Sequence, residues 1–294
     1  MSAWKWIGRI CVWMAVGVLA LQVADRWARR TGPLPELPEP NGYAVLLRVA
    51  RATDIPEGAL LDMPPEKVRS WAADRREDLQ SIRMALRGET AVPLSSDPGQ
   101  AQAQADEIRQ IKRLAVLIGI RMRSEMLDGQ TNAAAISTLD TILLGQAMAH
   151  GGLVVHALNA MAVERVGVAT LRTLAPGLDG NTCMNLARVL EEAETRRESV
   201  DRILQTELTW RQASFGLVGR LMQSINGRAE TQRRLDFITR HQETAKATRK
   251  LMLDLAIRAA SQKTSQPVPT ASEVVPSILK AIPVDPKTGT PIEP

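Results

Sequence analysis

The chain has 294 residues, 45% of them apolar but only 3% aromatic, with a formal net charge of +5. The apolar content supports a packed core and excludes wholesale disorder, while the scarcity of aromatic and alternating runs argues against a β-rich fold. The core has to come from Leu, Ala, Val, Ile and Met, mostly good helix formers. The modest positive charge permits contact with anionic lipid or acidic polymer without requiring it.

The first element is IGRICVWMAVGVLALQVA, residues 7–24, interrupted only by Arg9. The uncharged run from Ile10 to Ala24 falls short of the roughly 20 residues that span a bilayer, but Lys5 and Arg9 extend it by reaching the headgroups. Residues 1–30 are therefore expected to form a single-pass anchor. A cleaved signal peptide with Val18-Leu19-Ala20 near the cut is the second reading. Trp4, Trp6 and Trp27 flank the segment where indole rings favour the membrane–water interface. Lys5 and Arg9 favour a cytoplasmic amino terminus, and Arg26, Arg29 and Arg30 oppose it. The expectation is an extracytoplasmic domain.

Residues 31–40, TGPLPELPEP, alternate Pro with other residues and predict a polyproline II spacer, about 30 Å long when fully extended. Helices then follow to residue 263. Asn41 is an N-cap candidate for GYAVLLRVARA. PPEKVRSWAADRREDLQSIRMALRG reads as one helix ending at Gly88, with Trp71, Leu79, Ile82 and Leu86 as its apolar stripe. AQADEIRQIKRLAVLIGIRMRSEMLDG places Ile108, Ile111, Ala115, Ile118, Met122 and Met126 at three- or four-residue spacing, and Gly129 stops it. TNAAAISTLDTILLGQAMAHGG follows, with Ile136, Leu139, Leu143 and Met148 expected inward.

LVVHALNAMAVERVGVATLRTLAPG is apolar on most of its surface and is expected at the heart of the domain. Glu164 and Arg165 argue against its being a second membrane span and predict a buried ion pair with another helix. Residues 181–227 read as one long helix or two, with Glu191, Glu192 and Glu194 near the start on a solvated face. Another helix covers 229–263. Residues 264–294 are expected to hold a linker, the short helix SEVVPSILKAI and the tail IPVDPKTGTPIEP. If the tail docks, Ile282 and Val284 are the residues expected to be buried. Short Gly-centred connections make successive helices antiparallel neighbours, so the fold class is an all-α, irregular antiparallel bundle with helix-hairpin character.

Catalytic patterns are missing: no phosphate-binding Gly-rich loop, GxSxG, HExxH or CxxC occurs. Cys11 and Cys183 form no pair or metal spacing, and no cofactor or metal is expected. His150 and His156 lie six apart across a Gly-Gly break. His156, near Asn159, reads as a hydrogen-bonded core histidine rather than a general base. Arg228, Arg233, Arg234, Arg240, Lys246, Arg249 and Lys250 form a basic stretch. It is either a solvated face or a contact for anionic lipid or polymer. Nucleic acid is not expected, because stacking aromatics are nearly absent.

The hairpin LDGQTNAAAISTLDTILL resembles one tetratricopeptide-type repeat, with Gly129 at the turn and Ala134 at a small-residue position; Thr141 stands where that family has a second small residue. Over most of its length the chain resembles a group of uncharacterised single-pass, mostly helical proteins of planctomycete-type bacteria. The anchor, the Pro-rich spacer, NGY opening a helix, LDGQ in a central hairpin and the terminal P-x-DP-x-TG-x-P carry the likeness. It implies an architecture and a cell-envelope setting but no activity. The expected function is a membrane-tethered helical scaffold or protein-binding domain. The alternatives are an envelope hydrolase built on His156, His241 or acidic residues, and a peripheral binder of anionic lipid or polymer through residues 228–250.

Overall fold

A computed structural model describes residues 34–55, 63–225, 227–263, 270 and 273–293, without the side chains of 217–229 and 263. The anchor segment with Trp4, Trp6 and Trp27 lies outside these residues. Among the described residues the chain forms nine α-helices and no strand: α1 (Gly42–Ala52), α2 (Pro65–Asp74), α3 (Arg76–Arg87), α4 (Ala101–Leu127), α5 (Thr131–Ala149), α6 (Val154–Leu174), α7 (Gly180–Thr195), α8 (Val200–Ile225) and α9 (Gly227–Lys263).

Asn41 caps α1 as expected, its Oδ1 accepting from the Tyr43 amide at 3.0 Å. The same side chain donates to the Ala91 carbonyl and accepts from the Ala91 amide, so the cap also fixes the 89–91 segment. Gly42 is required there: a Cβ would lie 2.5 Å from the Ala85 carbonyl oxygen. The NGY triplet is thus a docking point between α1 and the end of α3.

The single helix expected over 64–88 is broken at Arg75, whose φ and ψ of −107° and 21° leave the helical region. The two halves serve different partners. Val68 and Ala72 of α2 pack on Ile120 of α4, whereas Ile82 and Leu86 of α3 join α1 and α5 in the amino-terminal core.

The heart of the domain is α5 even more than α6. Its Leu144, Ala147 and Met148 belong to the amino-terminal core, and its Ala135, Leu139 and Ile142 belong to a second core with α6, α7 and α9. A helix between two cores keeps only a narrow open stripe, and Ile136, expected inward, falls on it and is exposed. Met126 is likewise exposed in the last turn of α4, where Leu114, Leu117 and Ile120 take the inward positions. α5 and α6 approach closely at two glycines. A Cβ on Gly145 would lie 2.8 Å from the Ala160 carbonyl oxygen, and one on Gly167 would lie 2.7 Å from Ile142 Cγ1.

By length and composition the stretch Val154–Gly177 could cross a membrane. In the fold it is a core helix, with Glu164 buried and ion-paired. The 181–227 region is two helices, and a second break occurs at Gly216, φ 52°. The acidic cluster therefore sits at the carboxyl-terminal end of α7 and not at the start of a helix. Glu194 is buried rather than solvated.

The spacer does not stand free over its described part: Glu36, Leu37 and Pro38 line a cleft with Leu86, His150 and Arg196. At the other end, residues 273–278 form turns rather than a short helix, because Pro276 cannot donate to a helical ladder. Val274, Leu279 and Ile292 nevertheless enter the second core. The tail folds back as a turn, with Val284 bridged to Pro291 and the Ile292 amide donating to the Pro283 carbonyl. Docking therefore buries Ile292, while Ile282 is half-buried and Val284 is exposed. The bridge places Val284 on the outer side of the turn.

Candidate functional site

An open groove of about 610 Å³ runs between the start of α6, α8 and the first half of α9. Four links set its walls. The Val154 amide donates to Glu207 at 3.1 Å, tying α8 to the start of α6. Arg211 bridges Glu207 and Glu230, at 2.9 and 2.7 Å, and so joins α8 to α9. Trp210 Nε1 donates to the Ser95 carbonyl at 2.6 Å, fixing α8 to the loop after α3. Beneath the groove, Ala157, Met161, Ile203 and Phe237 form a small core of their own.

Val154, Leu158, Leu204, Leu208 and Phe237 supply its apolar lining, with Leu158 and Leu208 each about two-fifths exposed. Its rim carries charges of both signs: Asp201, Glu207, Glu230 and Asp236 against Arg211, Arg233, Arg234 and Arg240. An apolar trough with such a rim has the composition of a protein-docking surface.

The basic stretch of α9 divides in the fold. Arg233, Arg234 and Arg240 are exposed on the groove. Lys246 pairs with Asp285 of the tail at 2.7 Å. Arg249 pairs with Glu194 at 2.8 Å. Lys250 is half-buried near Asp254, whose carboxyl burial raises and Lys250 lowers. The Arg228 side chain lies outside the described residues.

The domain's most buried charges lie elsewhere. Glu164 accepts from Arg197 Nη1 at 3.1 Å and from Thr248 Oγ1 at 2.7 Å. Arg197 also donates from Nε to Glu194 at 2.7 Å, and Arg249 closes the set on the other Glu194 oxygen. Two carboxylates and two guanidiniums thus balance, which makes such burial tolerable. Gln146 completes the shell: with its side-chain amide turned so that the oxygen faces the guanidinium, it accepts from Arg197 Nη2 at 3.0 Å. The sequence anticipates a partner for Glu164 but not Arg197, which stands in an exposed-looking TRRES turn 33 positions away. Arg165 makes a separate surface pair with Glu243.

His241 lies beside this network. Burial, and then the Arg197 charge, lower its pKa to about 4. With Glu164, Arg197 and Glu198 it lines a void of about 20 Å³, which is space for one water and no larger substrate. His156 serves α6: its Nδ1 accepts from the Leu153 amide at 3.1 Å, and burial lowers its pKa to about 4. Gly152 makes room for it, since a Cβ there would lie 2.8 Å from His156 Cβ. His150 pairs with the buried Glu198 at 2.8 Å, and Glu198 also accepts from the Gly151 amide. These contacts account for the HGG break between α5 and α6. Among the described residues no group of three His, Cys, Asp or Glu is placed to hold a metal ion.

Comparison of the chain with protein-family models, with curated proteins and with solved structures finds no match to any of them.

Proposed function

We propose that this protein is a membrane-tethered helical domain of the cell envelope that docks a protein partner in the groove between α6, α8 and α9. The observation that carries the reading is the groove itself: a rigidly braced, largely apolar trough with exposed Leu158 and Leu208 and a rim of mixed charge. A lipid- or polymer-binding surface would need a cationic excess, whereas here four acidic residues offset four arginines. Of the two histidines in the hydrolase reading, His241 shares only a one-water void with its neighbouring acids and His156 is buried against the start of α6, which weighs against that reading. The tether rests on the apolar, tryptophan-flanked segment of residues 7–24, with the domain on the extracytoplasmic side. The solenoid-like hairpin of α4 and α5 around Gly129 acts in this reading as scaffold.

Site-specific photo-crosslinking in the native host tests the assignment. A photoreactive residue at Leu158 or Leu208 is expected to give one discrete adduct, absent when the probe replaces exposed Met84 on the far helix α3. The adduct should disappear with Leu204→Glu. Equal labelling at all three positions, or none at the groove, overturns the reading.

A further inference from the structure

We infer that the cleft between α3, α4 and α5 is a binding site for a small dianion of the phosphate-ester class. Arg76, Gln80, Arg83 and Arg87 fall at steps of four, three and four along α3, so they occupy one face of that helix. That face borders a concavity of about 430 Å³, and Arg121 enters it from α4. The carboxylates here are already engaged. Asp140 pairs with Arg83 at 2.7 Å, and Glu125 pairs with Arg121 at 2.6 Å while accepting from Ser137. Both carboxylates are more buried than the guanidiniums they hold.

Four arginines against two carboxylates leave two positive charges in excess. Arg76 and Arg87 carry that excess: both are exposed, and among the described residues neither lies within ion-pair distance of a carboxylate, Arg87 acting on Asp140 only at longer range. A surplus of two matches a phosphate monoester, which carries about −1.5 to −2 charges near neutral pH. The planar guanidinium fork suits its oxygens. Leu79, Ile82 and Ile118 add an aliphatic wall for the organic part of the ester. Arg83 and Arg121 are held in place by their carboxylates, so the cleft is organised before a ligand arrives. A basic helix face is ordinarily only solvated; this one is set apart by its concavity and by the buried carboxylates that anchor two of its four arginines. The site is separate from the α6–α8–α9 groove and does not depend on it.

The test is calorimetric titration of the full chain in detergent with glycerol phosphate, and vesicle sedimentation with phosphatidic acid in phosphatidylcholine against phosphatidylcholine alone. The Arg76→Gln/Arg87→Gln double variant leaves the Arg83–Asp140 and Arg121–Glu125 pairs intact, and its circular dichroism melt checks folding. Saturable binding weakened at least about tenfold in the folded double variant supports the inference. Response to the soluble ester assigns a free ligand, and response to the vesicles alone assigns a lipid headgroup. Absence of saturable binding to both probes overturns it, as does binding that the double variant leaves unchanged.

Discussion

Arg249 of α9 donates from Nε to Glu194 of α7 at 2.8 Å, and its Nη1 reaches the Val284 carbonyl at the same distance. One guanidinium therefore joins the buried charge network to the tail. Lys246, one turn earlier, adds its pair with Asp285. From the other side, Glu191 accepts from the amides of Lys280 and Ala281, and Arg188 donates to the Ser277 and Ile278 carbonyls. The tail is an integral layer over α7 and α9.

Ile292→Asp should release this layer. Ile292 is buried in the second core, and burying such a side chain is worth roughly 1.5–3 kcal/mol. Placing a carboxylate there adds a desolvation cost. Trypsin should then cut after Lys280 and Lys287 much faster than in the parent, while the body up to α9 resists. Equal cleavage rates in the two proteins would show that Ile292 does not hold the tail.

Stability should fall as the medium is acidified. His156 and His241 are both lowered by burial to about 4, against about 6.5 when unfolded. The unfolded chain therefore binds more protons between those values. The stabilisation is complete above about pH 6.5 and is lost progressively as pH falls toward about 4. At pH 5 the loss from His156 alone is about 2 kcal/mol. His156→Gln isolates this contribution. Glutamine at the third position of a helix can accept from the N-cap amide, so it keeps the Leu153 bond without titrating. Urea midpoints at pH 7 and pH 5 should differ less for the variant than for the parent; equal differences would refute the role of His156.

Helix content, the Asn41 cap and the Gly129 stop were legible because they depend on local spacing and capping. The core positions Ile108, Ile111, Leu139 and Met148 followed from periodicity alone. Met126 and Ile136 carry the same periodic signal but face outward, because which side of a helix is covered depends on its neighbours. The break at Arg75 is a tertiary effect, with α2 and α3 drawn to different partners. Arg197 escaped notice for a related reason: nothing local distinguishes an arginine that closes a buried network 33 residues from its carboxylate. The groove of α6, α8 and α9 exists only once α8 is tied to Val154, Ser95 and Glu230, three contacts far apart in sequence.

The Glu164–Arg197 pair should show strong energetic coupling. Arg197→Met leaves Glu164 buried with only Thr248 still donating to it, and removing one partner of such a pair costs about 3–5 kcal/mol. Adding Glu164→Gln removes the stranded charge, and Thr248 can still donate to the new amide oxygen. The double variant should therefore recover at least about 1 kcal/mol relative to the sum of the single effects. Additivity within about 0.5 kcal/mol in a denaturant-melt cycle would mean that the network is satisfied by water instead.

The close approach of α5 and α6 supplies the last prediction. Gly145→Ala would place a Cβ 2.8 Å from both the Ala160 carbonyl oxygen and Glu164 Cβ, and 2.9 Å from the Glu164 amide nitrogen. Two of those atoms are backbone, so the helices have to separate, and overpacking of this kind costs about 1–3 kcal/mol. Separation would also strain the Glu164–Arg197 contact on the same turn. Gly88→Ala is the control: its Cβ would meet the Ala85 carbonyl at an ordinary 3.6 Å, in a backbone conformation open to any residue. That change should stay within about 0.5 kcal/mol. If thermal melts gave the two variants equal stability, the glycine at 145 would not be what allows these helices to meet.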